Sequence, residues 1–357
     1  MEDRKIEVWR PMAILLQVFI SAGVAILIFV LGEVFIRQRA RQAKKESIEA
    51  TYQKYAEPLM LSASQLFWRL DEVFNPGGAG YYLQGHEHHV RYERYKTLST
   101  LYRMASLLGW IRALRRELVF IRGSNPAVVK DLDGALESYA SALADGRRVE
   151  TRMVESLIHL WLIRANHLSP EVIAQAGIQT ARQVAYALHE KQVSSVKYLS
   201  EADQLALSRE IADSLTGALS CAPVADDLLK ETIKRAVVYL SVREAWFYRD
   251  WQSGIGDLMI KQVKGSQRDF EIIGYKDFEE MCDGQEEVQL IWLRRLYAVI
   301  DDLDVDGDRF SDSRIDQLHE TYLATAKMIE ALHQSDSVQS QIPESTRNAV
   351  NRVLQAA

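Results

Sequence analysis

The stretch Val90–Arg122, VRYERYKTLSTLYRMASLLGWIRALRRELVFIR, decides the fold class. Leu98, Leu101, Ala105, Leu108, Ile111, Leu114, Leu118 and Ile121 fall three and four residues apart, which places them on one stripe of a helix, and Gly123 ends the pattern. Working outward, the same punctuation recurs. Asn125-Pro126 and Ser169-Pro170-Glu171 each read as an N-cap followed by proline in the first turn, and Ser200 with Asp203 resembles a capping box. With 7 prolines and 18 glycines in 357 residues, mostly at apparent boundaries, the chain reads as all-α. Helices are expected at 59–74 and near 145–167, 223–263, 285–301 and 312–333. Gly265–Tyr275, with Phe270, Ile272 and Ile273, is the one stretch suited to an extended strand. The loop Asn75-Pro76-Gly77-Gly78-Ala79-Gly80 is the clearest break, and Gln334–Thr346 is polar and reads as loose.

The segment Ser99-Thr100-Leu101-Tyr102-Arg103-Met104-Ala105, with Gly109-Trp110 and the basic run Arg112 to Arg116, resembles a recurrent stretch in uncharacterised bacterial membrane-associated helical proteins. The resemblance covers Tyr55 to Arg122, with a weaker stretch at Ile273-Gly274-Tyr275 and Phe278. It implies a bacterial origin and a shared helical fold, and carries no activity.

Upstream, Met12 to Gly32 runs 21 residues without a charge, long enough to cross a bilayer once as a helix. The span is placed at 11–36 after a short tail, 1–10. Arg37–Glu57, free of proline and glycine, continues it as a helical juxtamembrane stalk ending at Pro58. A soluble domain fills 58–335, with a division into two subdomains expected near 200, and 336–357 forms a polar tail. Arg37, Arg39, Arg41, Lys44 and Lys45 follow the span before Glu46, whereas Arg4, Lys5 and Arg10 are matched by Glu2, Asp3 and Glu7. Positive charge is retained on the cytoplasmic side, so the reading is N-terminus outside, soluble domain cytoplasmic, in a bacterial inner membrane. A cleaved signal peptide would have a shorter apolar core with its basic residues ahead of it. Cys221 and Cys282 are too few for a disulfide framework. The net charge of −6, despite the basic N-terminal flank, makes the soluble part acidic and argues against a broad nucleic-acid surface.

Four constellations could carry chemistry. His86, His88 and His89, with Glu87, have metal-ligand chemistry but sit nearly adjacent, where side chains rarely converge on one ion. Asp302, Asp304 and Asp306, followed by Gly307, match the opening of a calcium loop, yet the eighth position is Arg309 and the twelfth is Ser313 instead of a bidentate glutamate. Arg314-x4-His319, Arg152-x6-His159 and Arg182-x6-His189 each fit the Arg-His spacing of HEPN-type helical RNases. With 8 histidines in the chain, chance alone yields about two such matches. Arg112, Arg115 and Arg116 on the basic helix could hold a phosphate or another anion, or could be ion-paired surface residues. Trp246, Tyr248 and Trp251 could stack on bases, though aromatic clusters on helices are more often core. Gly254-Ile255-Gly256 has neither the preceding strand nor the third glycine of a dinucleotide loop, and the standard phosphate-loop, nucleophile-elbow and zinc-helix patterns are absent from the sequence.

The expectation is a single-pass, membrane-anchored helical interaction or scaffold protein that binds a protein partner or itself, with no cofactor. The alternative is a membrane-tethered HEPN-like RNase or nucleotide-responsive effector of bacterial defence or stress response; only there would nucleic acid be a partner. Ser21 and Ala25 offer a small face for pairing of spans.

Overall fold

The computed structural model describes residues 31–43, 46, 54–75, 83, 91–119, 127–144, 149–164, 169–263, 270–284, 287–334 and 342–356. Helix α1 covers 54–74 and is followed by α2 (Arg91–Val119) and α3 (Ala127–Ala144). Then come α4 (Val149–Leu160), α5 (Pro170–Lys191), a 3-10 turn at Val196–Tyr198, α6 (Glu201–Ala218) and α7 (Asp226–Leu240). The chain continues with α8 (Arg249–Met259), a hairpin of β1 (Ile260–Gln262) and β2 (Phe270–Ile272), α9 (Tyr275–Asp283), α10 (Glu287–Tyr297), α11 (Arg314–His333) and α12 (Glu344–Ala356). The described chain is all-helical apart from this two-stranded hairpin, which pairs antiparallel with Ile260 opposite Ile272 and Gln262 opposite Phe270.

Two hydrophobic cores organise these elements. The larger one joins α1, α2 and α3 to α8 through α12 and includes Leu66, Phe67, Met104, Tyr139, Phe278 and Met328. The smaller is built by α4 to α7 around Val154, Leu157, Trp161, Ile211, Leu215 and Ala236. The chain therefore leaves the first core after α3, builds a four-helix unit and returns before α8. The expected division near residue 200 is corrected: 200 lies inside the smaller core, because α5 and α6 pack on each other, and the boundaries fall instead after α3 and after α7.

Two of the predicted caps form, and the third, Asn125-Pro126, lies outside the described residues. Ser169 accepts a hydrogen bond from the Val172 amide with Pro170 in the first turn, and Ser200 accepts one from the Asp203 amide. Helix α5 ends at Gln192 in the left-handed region, φ 54°, closing the last turn onto Leu188 and His189. Helix α11 is buried along most of its length between α3 and α12, and its Thr321 and Thr325 hydroxyls donate to the carbonyls four residues back, at 2.8 and 2.7 Å.

Helices α2 and α8 approach closely because of two glycines. A Cβ on Gly256 would lie 2.6 Å from Arg112 Cβ and 2.9 Å from the Leu108 carbonyl oxygen; one on Gly109 would lie 2.9 Å from Met259 Cβ. The Gly-Ile-Gly element is thus a packing device. Gly256→Ala is expected to force the helices apart at a cost of about 1–3 kcal/mol, read as a lowered urea midpoint with unchanged m-value. An unshifted midpoint would contradict this account of the crossing.

Three other expectations change or fall outside the described residues. The stalk does not run to Glu57: Tyr55 and Ala56 are already buried in the larger core, and α1 continues through Pro58. Residues 344–356 are not a tail, because Thr346, Ala349 and Val350 form a buried face that packs α12 onto α11, and Trp68 Nε1 donates to Thr346 Oγ1 at 3.1 Å. The apolar run Met12–Gly32 lies outside the described residues apart from Leu31 and Gly32. Among the described residues no helix is long and apolar enough to cross a membrane.

Candidate functional site

The three Arg-His pairs do not form three sites. The Arg314 guanidinium is buried, holds both oxygens of Asp312 at 2.9 and 2.6 Å, and donates to the carbonyls of Ala298 and Asp301 at 2.9 and 2.7 Å. Those carbonyls follow the end of α10, where intrahelical donors run out, so Arg314 ties the α10 end to the start of α11. His319 packs edge-on against Phe74, ring centroids 5.3 Å apart, and lies beside Tyr322. Arg182 and His189 both lie on the exposed face of α5, and His159 is exposed at the end of α4.

One regrouping does occur, at the junction of the two cores. Arg152 of α4 pairs with Asp316 of α11 at 2.5 Å, and Arg309 pairs with the other oxygen of Asp316 at 3.4 Å. His319 stands one turn beyond Asp316. Burial, the largest influence, holds its imidazole below its ordinary pKa; Arg309 adds to this, while Glu320 and Asp316 oppose it. The ring is therefore neutral near pH 7 and suited to accepting a proton, whereas the RNase expectation asked it to donate one to phosphate. A small cleft opens beside this group, lined by Arg152, Ser156, Tyr239, Arg309, Phe310 and Ser313. Its two guanidiniums already share the Asp316 carboxylate.

A pH dependence follows from His319. Because the folded pKa lies below the unfolded value of about 6.5, the unfolded chain takes up the proton first. The contribution of the neutral ring to stability is complete above that value and is lost as pH falls through the folded pKa. Urea midpoints at pH 7.5 and 5.5 are expected to differ less in His319→Phe than in the parent chain; an equal difference would exclude His319 as the source.

The acidic loop uses its carboxylates internally. Asp302 accepts from Arg243 Nη1 at 3.1 Å, Asp304 from the Asp306 amide at 3.1 Å, and Asp308 from the Phe310 amide at 3.0 Å. Among the described residues no three His, Cys, Asp or Glu side chains come together to hold a metal ion, so Asp302, Asp304 and Asp306 do not converge on one. His86, His88 and His89 lie outside the described residues. Both cysteines are free and half-buried.

The basic face of α2 is partly neutralised. Arg112 grips both oxygens of Asp257 at 2.7 and 3.2 Å, and Arg116 shares the nearer one at 2.7 Å. Arg115 differs: its nearest carboxylate oxygen, on Glu137, is 4.0 Å away, and the other oxygen of Glu137 is held by Arg249 at 2.5 Å. Arg249 and Asp257 of α8 were not singled out in the sequence, because only the α2–α8 crossing brings them to α2. The aromatic group is filled from within: the Arg295 guanidinium lies 4.3 Å from the Trp251 ring centroid and 4.6 Å from that of Trp292.

Helix α5 carries an exposed face on the smaller core. Ala174, Ile178, Arg182, Ala185, Tyr186 and His189 all lie on one exposed stripe, with Ile178 52% and Tyr186 71% exposed. No known protein family, curated protein or solved structure matches the chain.

Proposed function

We propose that the chain is a single-pass, membrane-anchored helical interaction protein of a bacterial cytoplasmic membrane, with its N-terminus outside and a cytoplasmic domain that binds a protein partner or itself. The observation that carries this reading is the α5 stripe. Its inner face, through Ile173, Ala176 and Thr180, is buried on the smaller core, while Ile178 and Tyr186 face water on the other side. Scattered exposed apolar residues are ordinary; aligned ones on a helix flanked by Arg182 and His189 have the composition of a contact surface. The anchor is supported by the uncharged run Met12–Gly32 and by the helical residues 31–43 that follow it. There Leu31, Val34, Phe35 and Ile36 are 51–66% exposed, an apolar surface that lipid would cover. The nuclease alternative gains no support, since Arg314 is committed to the α10–α11 junction and Arg152 is paired with Asp316.

A photo-crosslinking residue placed at Tyr186 in the membrane-embedded chain tests the reading. It is expected to give one dominant adduct, while the same residue at exposed Glu344 on α12 gives none. Equal, diffuse labelling from both positions would sink it. Protease treatment of inverted vesicles is expected to digest the soluble domain; protection of that domain would reverse the proposed orientation.

A further inference from the structure

The exposed stripe of α5 is symmetric about its own middle. Thr180, buried on the inner face, marks that level. Glu171 and His189 stand nine residues to either side of it, and Ile178 and Arg182 stand two. Ala174 and Ala185 lie six and five residues away, Gln175 and Tyr186 five and six, and all eight side chains are exposed. With 3.6 residues per turn, Glu171, Ile178, Arg182 and His189 run down the centre of the stripe. The two alanines share one flank, and Gln175 and Tyr186 share the other. A two-fold axis at the level of Thr180, perpendicular to the plane of a helix pair, reverses the second helix and sets each flank against its own kind. It brings Glu171 opposite His189, Ile178 against Arg182, Ala174 opposite Ala185 and Gln175 against Tyr186.

The chemistry of these pairs matches as well. The Glu171 carboxylate is held below its ordinary pKa by its own backbone amide and by the Ser169 hydroxyl, so it is ionised, with lone pairs left for an imidazole N–H. Ile178 meets the aliphatic stem of Arg182, the alanines let the helix axes approach, and the Gln175 amide can bond the Tyr186 hydroxyl. A parallel pairing would set Glu171 on Glu171 and Arg182 on Arg182, like charge against like. Among the described residues the Arg182 and His189 side chains take part in no ion pair, so both are open to a partner.

We infer that α5, taken as the docking face proposed above, receives a second copy of this chain, antiparallel and through the same stripe. An isologous contact needs a surface that is its own complement; a foreign partner asks no such symmetry of it. Helix α5 has 22 residues, about 33 Å, a small interface beside the about 1,200–2,000 Å² of a stable soluble complex. Anchors in one bilayer hold the copies at high local concentration and make a small interface sufficient.

The test uses the full chain in its membranes, with Cys221→Ala and Cys282→Ala removing the native thiols. Copies with Glu171→Cys and copies with His189→Cys, differently tagged, are co-expressed and treated with a short bis-maleimide. The mixed adduct is expected at least tenfold above either same-site adduct, because two copies of position 171 stand about 27 Å apart along the pair. Adding Ile178→Asp and Tyr186→Asp is expected to abolish it. In the chain with its native cysteines, Ala185→Glu is expected to lower the dimer fraction in native mass spectrometry at least tenfold, whereas Ala222→Glu, exposed after α6, leaves it unchanged. Same-site adducts as abundant as the mixed one, a mixed adduct that survives the double aspartate variant, or a dimer retained in Ala185→Glu would overturn the inference. A dominant photo-adduct from Tyr186 to a protein other than this chain, with no mixed adduct, would overturn self-pairing and leave α5 a docking face. No adduct from either chemistry would overturn both.

Discussion

Arg314→Ala is expected to destabilise the larger core by about 3–5 kcal/mol, a large part of the 5–15 kcal/mol that holds a typical domain together. The side chain is 3% exposed and does three jobs at once: it neutralises Asp312, whose own side chain is 13% exposed, and it supplies donors to the Ala298 and Asp301 carbonyls beyond α10. Truncation leaves a nearly buried carboxylate without its cation, removes the Arg314 donor from the Ala298 carbonyl, and leaves the Asp301 carbonyl only the longer bond from Arg243 Nη2 at 3.3 Å. Arg314→Lys keeps the charge, but its single ammonium cannot reproduce the two-pronged grip and the carbonyl contacts together, so an intermediate loss of about 1–3 kcal/mol is expected. Equilibrium denaturation with urea measures both. A loss within about 0.5 kcal/mol for Arg314→Ala would place the residue among ordinary surface positions and contradict the structure here. The same result bears on chemistry: activity lost in Arg314→Ala would report unfolding, so this variant cannot serve as a test for a nuclease.

Gln317→Leu is expected to cost about 2–4 kcal/mol, because the Ala245 carbonyl loses its side-chain donor and the Leu143 carbonyl keeps only the longer bond from the Phe247 amide. Gln317 Nε2 donates to the carbonyl of Leu143, at the end of α3, at 2.7 Å and to that of Ala245, just before α8, at 2.9 Å. These are the points where the chain departs for the four-helix unit and where it returns. The Phe247 amide adds a bond to the same Leu143 carbonyl at 3.3 Å, and Arg243 exchanges backbone bonds with Ser311 and Ser313 at 2.8 and 2.9 Å. One amide group thus fastens the two crossings between the cores. Hydrogen exchange is expected to show faster opening of the α3 end and of 241–247 in Gln317→Leu, with the interior of α6 little changed. Uniform acceleration across both cores would mean that they unfold as one unit and that the clamp is not local. Gln317→Glu is a useful companion, since it keeps the volume but presents acceptors to acceptors and should be at least as damaging.

What the sequence disclosed follows from how local each feature is. The stripe through Leu101, Ala105, Leu108, Ile111 and Leu114 repeats within one helix, and its members are buried as expected. Ser169-Pro170 and Ser200 with Asp203 act within one turn and could be read directly. The β2 strand at Phe270–Ile272 was marked by its apolar composition, but its partner Ile260–Gln262 continues the helical run of α8 in sequence and becomes a strand only through pairing. The partition into two cores depends on α11 lying along α3, more than 150 positions away, and no local period records that. Arg314 and Gln317 were legible as residues but not as roles: spacing suggested a partner for Arg314 in His319, while the fold supplies Asp312 and two distant carbonyls. Helix α12 was missed because its buried face is small, formed by Thr346, Ala349 and Val350 in an otherwise polar segment.

Native mass spectrometry of the full-length chain, gently released from its own membranes and compared with the Ile178→Asp, Tyr186→Asp double variant, tests the interaction reading most directly. Both positions are exposed, so the variant is expected to fold as the parent does. The account predicts that the parent carries one protein in fixed stoichiometry, either a distinct partner or a second copy, and that the double variant loses it. A bare monomer from both chains, or the same complex retained by both, would contradict the assignment of α5 as the docking face.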